Sequence, residues 1–100
     1  MRRNARVDRN QNEIVLFIRN YGGTVLITSQ LKNCFDILVG YAGHNIIMEI
    51  KDGLLAPSKQ KLTKGEDNFR DTWKGGYYHI VRSVNECEQI LKDYNNYIVE

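Results

Sequence analysis

The sequence predicts an α/β domain built around one mixed four-stranded sheet, with elements in the order α-β-β-β-α-β-α. Three observations predict it. Apolar residues recur at helical spacing in the first and last quarters of the chain. Four short runs between them are rich in β-branched and aromatic residues. Glycines punctuate the runs at Gly22-Gly23, Gly40 with Gly43, Gly53 and Gly75-Gly76.

Each element follows from local signals. Asp8 with Gln11 three residues on fits a capping box. Ile14, Phe17, Ile18 and Tyr21 then keep a helical stripe until Gly22-Gly23 stops it. Thr24 to Thr28 reads as the first strand, and Ser29 to Asn33 as a loop. Strands at about 34–39 and 44–51 form a hairpin closed by the four residues Gly40-Tyr41-Ala42-Gly43. Asp52-Gly53 ends it, and 54–62 is a connection holding the sole proline, Pro57.

Thr63 with Glu66 marks the start of a second helix that runs to about Trp73. Residues 77–82 read as a fourth strand. Ser83 with Glu86 starts a third helix with Val84, Cys87, Leu91 and Tyr94 on one stripe, and the chain is expected to fray from Asn95. The strand–helix–strand passage into the fourth strand permits a parallel pairing with a right-handed crossover.

Composition narrows the classes. One hundred residues with 42% hydrophobic content suit a single domain with its own core, 1–100, whose ends at 1–7 and 95–100 are expected to be flexible. Cys34 and Cys87 have no CxxC spacing, and only His44 and His79 accompany them, so a zinc site is not expected. They read as small buried hydrophobes of a reducing compartment. No apolar h-region follows Met1-Arg2-Arg3, and the run Ile14 to Ile18 is far short of a membrane span. A cytoplasmic protein is expected.

A net charge of +2 does not by itself announce nucleic acid. The charge is uneven, however. Arg2, Arg3, Arg6 and Arg9 crowd the start, and Lys59, Lys61 and Lys64 lie in the second half. Such clusters neutralise phosphates or form solvated faces.

The chemistry concentrates on the hairpin. Asp36 stands on one strand and Glu49-Ile50-Lys51 on the next. Alternation places Glu49 and Lys51 on one face. With a four-residue loop, Val39 would pair with His44 and Asp36 with Ile47, so Glu49 would lie diagonally from Asp36, roughly 7–8 Å away. Two carboxylates at such a spacing can hold a hard cation through oxygen ligands, with a lysine beside them to offset charge on a phosphate. The apolar flanks Ile37-Leu38-Val39 and Ile46-Ile47-Met48 place the acids on a buried sheet, where unpaired carboxylates are costly. The alternative is a strand-end aspartate and an ordinary surface Glu–Lys pair.

The segments 8–15, 36–40 and 49–53, together with the element order, resemble the PD-(D/E)XK nuclease superfamily, whose core has a restriction-endonuclease-like fold. The likeness is greatest to small VRR-NUC and Holliday-junction-resolvase-like members, many of them phage-encoded. It spans about residues 5–92. Phe35 stands where that family often has proline.

The resemblance implies a Mg²⁺-dependent DNA endonuclease, with Mn²⁺ able to substitute, selective for branched DNA such as Holliday junctions; the small size of the domain leads to the expectation of a homodimer. It implies Asp36 and Glu49 as metal ligands with the Ile50 carbonyl, Lys51 as the catalytic lysine, and Glu13 on the first helix as a further acid. Gln11 is a weaker candidate, already explained as a cap. Arg6, Arg9, Lys59, Gln60 and Lys61 are the expected DNA-binding residues. If phage-encoded, the protein would act in the host cytoplasm. The alternatives within this frame are a flap or single-strand nuclease and a non-catalytic nucleic-acid-binding module. Trp73, Tyr77 and Tyr78 are candidates for base stacking, or else core aromatics.

Overall fold

The computed structural model describes residues 7–96. Arg2, Arg3 and Arg6 of the basic start, and residues 97–100, lie outside the described residues. The architecture is α/β: three helices and one mixed sheet of four strands.

Helix α1 spans Gln11–Tyr21 and ends on Gly22, whose left-handed φ of 108° only glycine adopts at low cost. Gly23 N–H then closes the end on the Ile18 carbonyl at 2.9 Å. Its start differs from expectation. The cap is Asn10, not Asp8, and it makes no side-chain cap bond. Asn10 and Gln11 are buried, and both spend their amides on distant partners. Gln11 Nε2 donates to Ser29 Oγ, 3.2 Å, instead of closing a capping box.

Strands β1 (Thr24–Ile27), β2 (Ile37–Tyr41), β3 (His44–Ile50) and β4 (Tyr78–Val81) lie side by side in chain order. The first three are antiparallel and β4 runs parallel to β3. Strand β2 starts later than the sequence suggested. Residues 35 and 36 are instead held by Thr28, whose hydroxyl donates to the Phe35 carbonyl at 2.8 Å and whose N–H donates to the Asp36 carbonyl at 2.8 Å.

The hairpin also differs. Its loop has two residues, Ala42 and Gly43, both at positive φ (52° and 82°), the turn that matches strand twist. Gly40 belongs to the strand: a Cβ there would come within 2.7 Å of Thr24 Oγ1 on the neighbouring strand. The glycine that looked like a turn residue is required by close approach of β1. Tyr41 therefore faces His44 and Val39 faces Ile46, a register two residues away from the expected one. Because the slip is an even number, no side chain changes face.

Helices α1 and α3 (Val84–Asn95) cover one face of the sheet, where Ile14, Val15 and Ile18 meet Ile37, Val39, Ile46, Met48, Ile50, Val81, Cys87 and Leu91. Each large side chain buried there is worth roughly 1.5–3 kcal/mol of transfer free energy. Helix α3 starts on Ser83 Oγ, which accepts from Glu86 N–H at 3.1 Å, and continues through Asn95. The other face carries Asp36, Leu38, Ile47, Glu49 and Lys51, and α2 (Lys64–Thr72) lies over it through Phe69 and Glu66. The expected capping box of Thr63 and Glu66 is present in both directions. A 3-10 turn, Pro57–Lys59, interrupts the connection before it. Among the described residues no helix is long and apolar enough to cross a membrane.

Candidate active site

The shorter hairpin loop changes the geometry of the acids. Ile37 faces Met48, and just before it Asp36 N–H donates to the Met48 carbonyl at 3.2 Å, which brings the Asp36 carboxyl against that of Glu49. The two carboxyl groups are within hydrogen-bond reach of each other, closer than the diagonal arrangement expected from sequence. Asp36 Oδ2 also accepts from Ile50 N–H at 2.7 Å. Thr28 takes both the Phe35 and Asp36 carbonyls, so the carboxylate serves Ile50 in place of a main-chain acceptor.

Glu49 is 2% exposed. Burial, then the Asp36 carboxylate and the nearby Glu66, push its carboxyl up to about 10. Asp36 is also raised, first by burial, although the Ile50 N–H and Glu49 oppose the rise. Two acids that cannot both ionise in a dry site leave a demand for positive charge.

Lys51 supplies part of it. Its ammonium lies 2.8 Å from Glu66 Oε1 and 3.8 Å from Glu49 Oε2, with the side chain only 10% exposed. Burial works against its charge, but Glu66 and Glu49 more than offset this and hold it above the ordinary lysine value. Glu66 also caps α2, its Oε1 accepting from Thr63 N–H at 2.8 Å. Burial would raise this carboxyl, yet the bonds from Lys51 and Thr63 bring it below its usual range. The lysine is thus tied to the first turn of α2.

The start of α1 fixes the end of β3 from the other side. Asn10 Nδ2 donates to the carbonyls of Lys51 and Arg82, each at 3.1 Å, joining β3 to β4 just beyond Lys51. Arg9 grips Asp52 with two bonds, 2.9 and 3.0 Å, and Asp52 Oδ1 also accepts from Leu54 N–H at 3.0 Å. Asp52, expected to be a turn residue, is therefore a turn residue and an anchor.

The expected site residues divide accordingly. Asp36, Glu49 and Lys51 come together, and the Ile50 carbonyl projects from the strand edge whose N–H meets Asp36. Glu13 is not among them. It is exposed and lines a cleft with Arg9, Asp52, Arg82 and Glu86 beside α1 and α3. The acid from that segment whose charge reaches Asp36 and Lys51 is Asp8.

Among the expected DNA contacts, Arg9 is engaged by Asp52, and Gln60 Nε2 donates to the Leu55 carbonyl at 2.7 Å. Lys59 and Lys61 are exposed. Sequence reasoning passed over Glu66, because capping explained it, and Asn10, which no motif marked. Tyr78 belongs here too. Its buried hydroxyl has no hydrogen-bond partner, and burial, then the charge of Glu49, raises it further above the ordinary phenol value.

Compared with known protein families, curated proteins and solved structures, the chain finds no match. The donor chemistry stands on its own. Among the described residues no three His, Cys, Asp or Glu side chains form a ligand cluster. The oxygen donors that the expected cation would have are the two carboxyl groups of Asp36 and Glu49 and the Ile50 carbonyl. An all-oxygen set with a buried, mutually repelling acid pair fits a hard divalent cation.

Proposed function

We propose that this protein is a divalent-metal-dependent endonuclease that hydrolyses DNA phosphodiester bonds, with the PD-(D/E)XK core the sequence resembles. One observation carries the reading: the carboxyl groups of Asp36, just before β2, and Glu49, on β3, meet, with Lys51 beside Glu49 on the same buried face. A pure binding module has no need of that combination. Asp36, Glu49 and the Ile50 carbonyl would hold Mg²⁺, which would supply Lewis acidity toward a phosphate oxygen and lower the pKa of a water.

The chain's own residues set the rest. Asp36 is oriented by Ile50 N–H and meets the Glu49 carboxyl. Glu49, kept protonated by burial and by Asp36, would be the ligand whose ionisation a bound cation favours. Lys51, held charged by Glu66 and Glu49, stands ready to stabilise the negative charge that accumulates on the phosphate. Glu66 holds the Lys51 ammonium, and Asn10 fixes the main chain that carries it.

Branched DNA is the proposed substrate and a homodimer the proposed active species. The test is cleavage of matched linear, flapped and four-way DNAs by the full chain, with Mg²⁺ and with a chelator. Mg²⁺-dependent cutting lost in Lys51→Ala supports the reading. A purified, folded chain that cuts none of them under Mg²⁺ or Mn²⁺ overturns it.

A further inference from the structure

One cleft on the site face has no part in the hydrolysis. Moving along β2 and β3 from the acid pair, the next cross-strand pair on that face is Leu38 opposite Ile47. The step is roughly 7 Å along the strands. These two side chains floor an open cavity of about 440 Å³, bounded by Trp73 and Tyr77 with Asn45 at its rim.

Both aromatic walls are held in place from behind. The Trp73 indole is 43% exposed, yet it stacks on Phe69 at 5.2 Å and 29°. Phe69 in turn lies 5.6 Å from Phe35, the residue before Asp36. Behind the indole edge runs Gly75, where a Cβ would come within 2.7 Å of Nε1, so any larger residue displaces the ring. Tyr77 is 41% exposed and its φ is +61°, a conformation costly for a bulky side chain. Its ring is braced edge-on by His44 and Tyr94, at 5.3 and 5.2 Å.

The lining holds no Asp, Glu, Lys or Arg. With Leu38 and Ile47 beneath, Trp73 and Tyr77 at the sides and His44 and Asn45 as its polar groups, the cleft suits an uncharged ligand with a flat face. The neighbouring acid–lysine site suits a charged phosphate. A nucleotide joins those two chemistries in one molecule. In a duplex the base faces are already stacked, so the base that fits is an unpaired one.

We propose that this cleft takes an unpaired nucleobase next to the scissile phosphate, stacked on Trp73 and flanked by Tyr77. The proposal rests on the nuclease reading and narrows its substrate to DNA with unpaired bases at the cut, as at flaps and open junctions. Asn45 offers the base edge one amide donor and acceptor, so little sequence preference is expected.

Trp73 is the only tryptophan in the chain, so its emission reports on the cleft directly. The experiment titrates the full chain, in chelator, with a single-stranded oligothymidylate of about eight nucleotides and with an abasic strand of equal length and charge. The base-bearing strand should bind roughly 5- to 150-fold tighter and change the Trp73 emission. Trp73→Ala should erase the difference and Trp73→Phe should keep most of it.

Equal binding of the two strands, or a preference that survives in Trp73→Ala, overturns the cleft. Should Trp73→Ala fail to fold, the wild-type emission decides: no change at saturation is equally fatal. A parallel Mg²⁺ cleavage assay separates the two readings. Cutting without base preference sinks the cleft alone, whereas Trp73-dependent preference without cutting sinks the nuclease alone.

Discussion

Asp36 and Ile50 meet through a single bond, carboxylate Oδ2 to main-chain N–H at 2.7 Å, at the point where β2 and β3 part. The bond joins fold to chemistry. Thr28 takes the Phe35 carbonyl as well as that of Asp36, so Ile50 N–H, within a fully buried residue, is paired by the carboxylate instead. The side chain that completes the sheet is the one that faces Glu49.

The first prediction follows from that double duty. Asp36→Asn keeps an acceptor for Ile50 and should fold, whereas Asp36→Ala leaves the N–H unsatisfied and should cost about 1–3 kcal/mol. Both should lose Mg²⁺-supported cleavage, as should Glu49→Gln. Urea unfolding and titration calorimetry with Mg²⁺ check each part. Unchanged metal binding in Asp36→Asn and Glu49→Gln would remove the ligand assignment.

A second prediction concerns pH. Glu49 is raised in the folded chain from 4.5 to about 10, so the folded state holds its proton more tightly than the unfolded state. Its contribution to stability is complete below about pH 4.5 and is lost as pH rises toward 10. Asp36, also raised, acts in the same direction. The other two ionised partners act elsewhere. The Glu66 contribution is lost only as pH falls through the acid range, and that of Lys51 only above its ordinary value. Metal-free wild type should therefore weaken between pH 6 and 9, while Glu49→Gln should hold its urea midpoint and at pH 9 be more stable by at least about 1 kcal/mol, or 4–8 °C. Mg²⁺ should restore the wild type at pH 9 and do little for Glu49→Gln. A wild-type midpoint that rises with pH over this range contradicts the assignment.

The lysine and its partner give the third prediction. Lys51→Ala should bind metal and slow cleavage by roughly 10²–10³, the usual loss for one transition-state donor. Glu66→Gln keeps an oxygen for the Thr63 N–H but removes the charge beside Lys51. It should leave KM nearly unchanged, lower kcat, and move the alkaline limb of the pH–rate profile downward. Equal profiles for Glu66→Gln and wild type would leave Glu66 as a cap alone.

Much of this was legible in the chain because each signal was local. The element order, the α2 capping box and the shared face of Glu49 and Lys51 all follow from period and short-range chemistry. The hairpin register was not, because Gly40 looks the same whether it turns the chain or makes room for Thr24. Asn10 was hidden for a related reason: its partners, Lys51 and Arg82, lie 41 and 72 residues away. Glu66 was visible but already explained, and a cap does not reveal that the same oxygen also meets Lys51.

The α1 segment supplies the fourth prediction. Glu13 is exposed beside Arg9, away from the acid pair. Glu13→Gln should leave cleavage near native and change stability by no more than about 0.5 kcal/mol. Asp8→Asn, by contrast, removes a charge felt by both Asp36 and Lys51, and should tighten or loosen Mg²⁺ binding measurably. A large loss of cleavage in Glu13→Gln with the fold intact would return that residue to the site.

The last prediction is that the active species is a symmetric homodimer acting on branched DNA. One copy offers a single acid pair, and resolving a four-way junction needs paired cuts on opposing strands. A twofold dimer holds two sites in fixed relation and doubles the basic residues available to phosphates. Leu16 points away from the α1 core stripe and is 59% exposed. On the edge strand β1, Leu26 and Ile27 are 64% and 50% exposed. Apolar surface of this kind is what an interface buries. Light scattering should give about twice the 11.6 kDa chain mass. Leu16→Glu should dissociate the dimer and depress junction cutting more than cutting of a simple flap. A strict monomer that cuts linear and branched DNA equally well would leave the general nuclease and remove the resolvase.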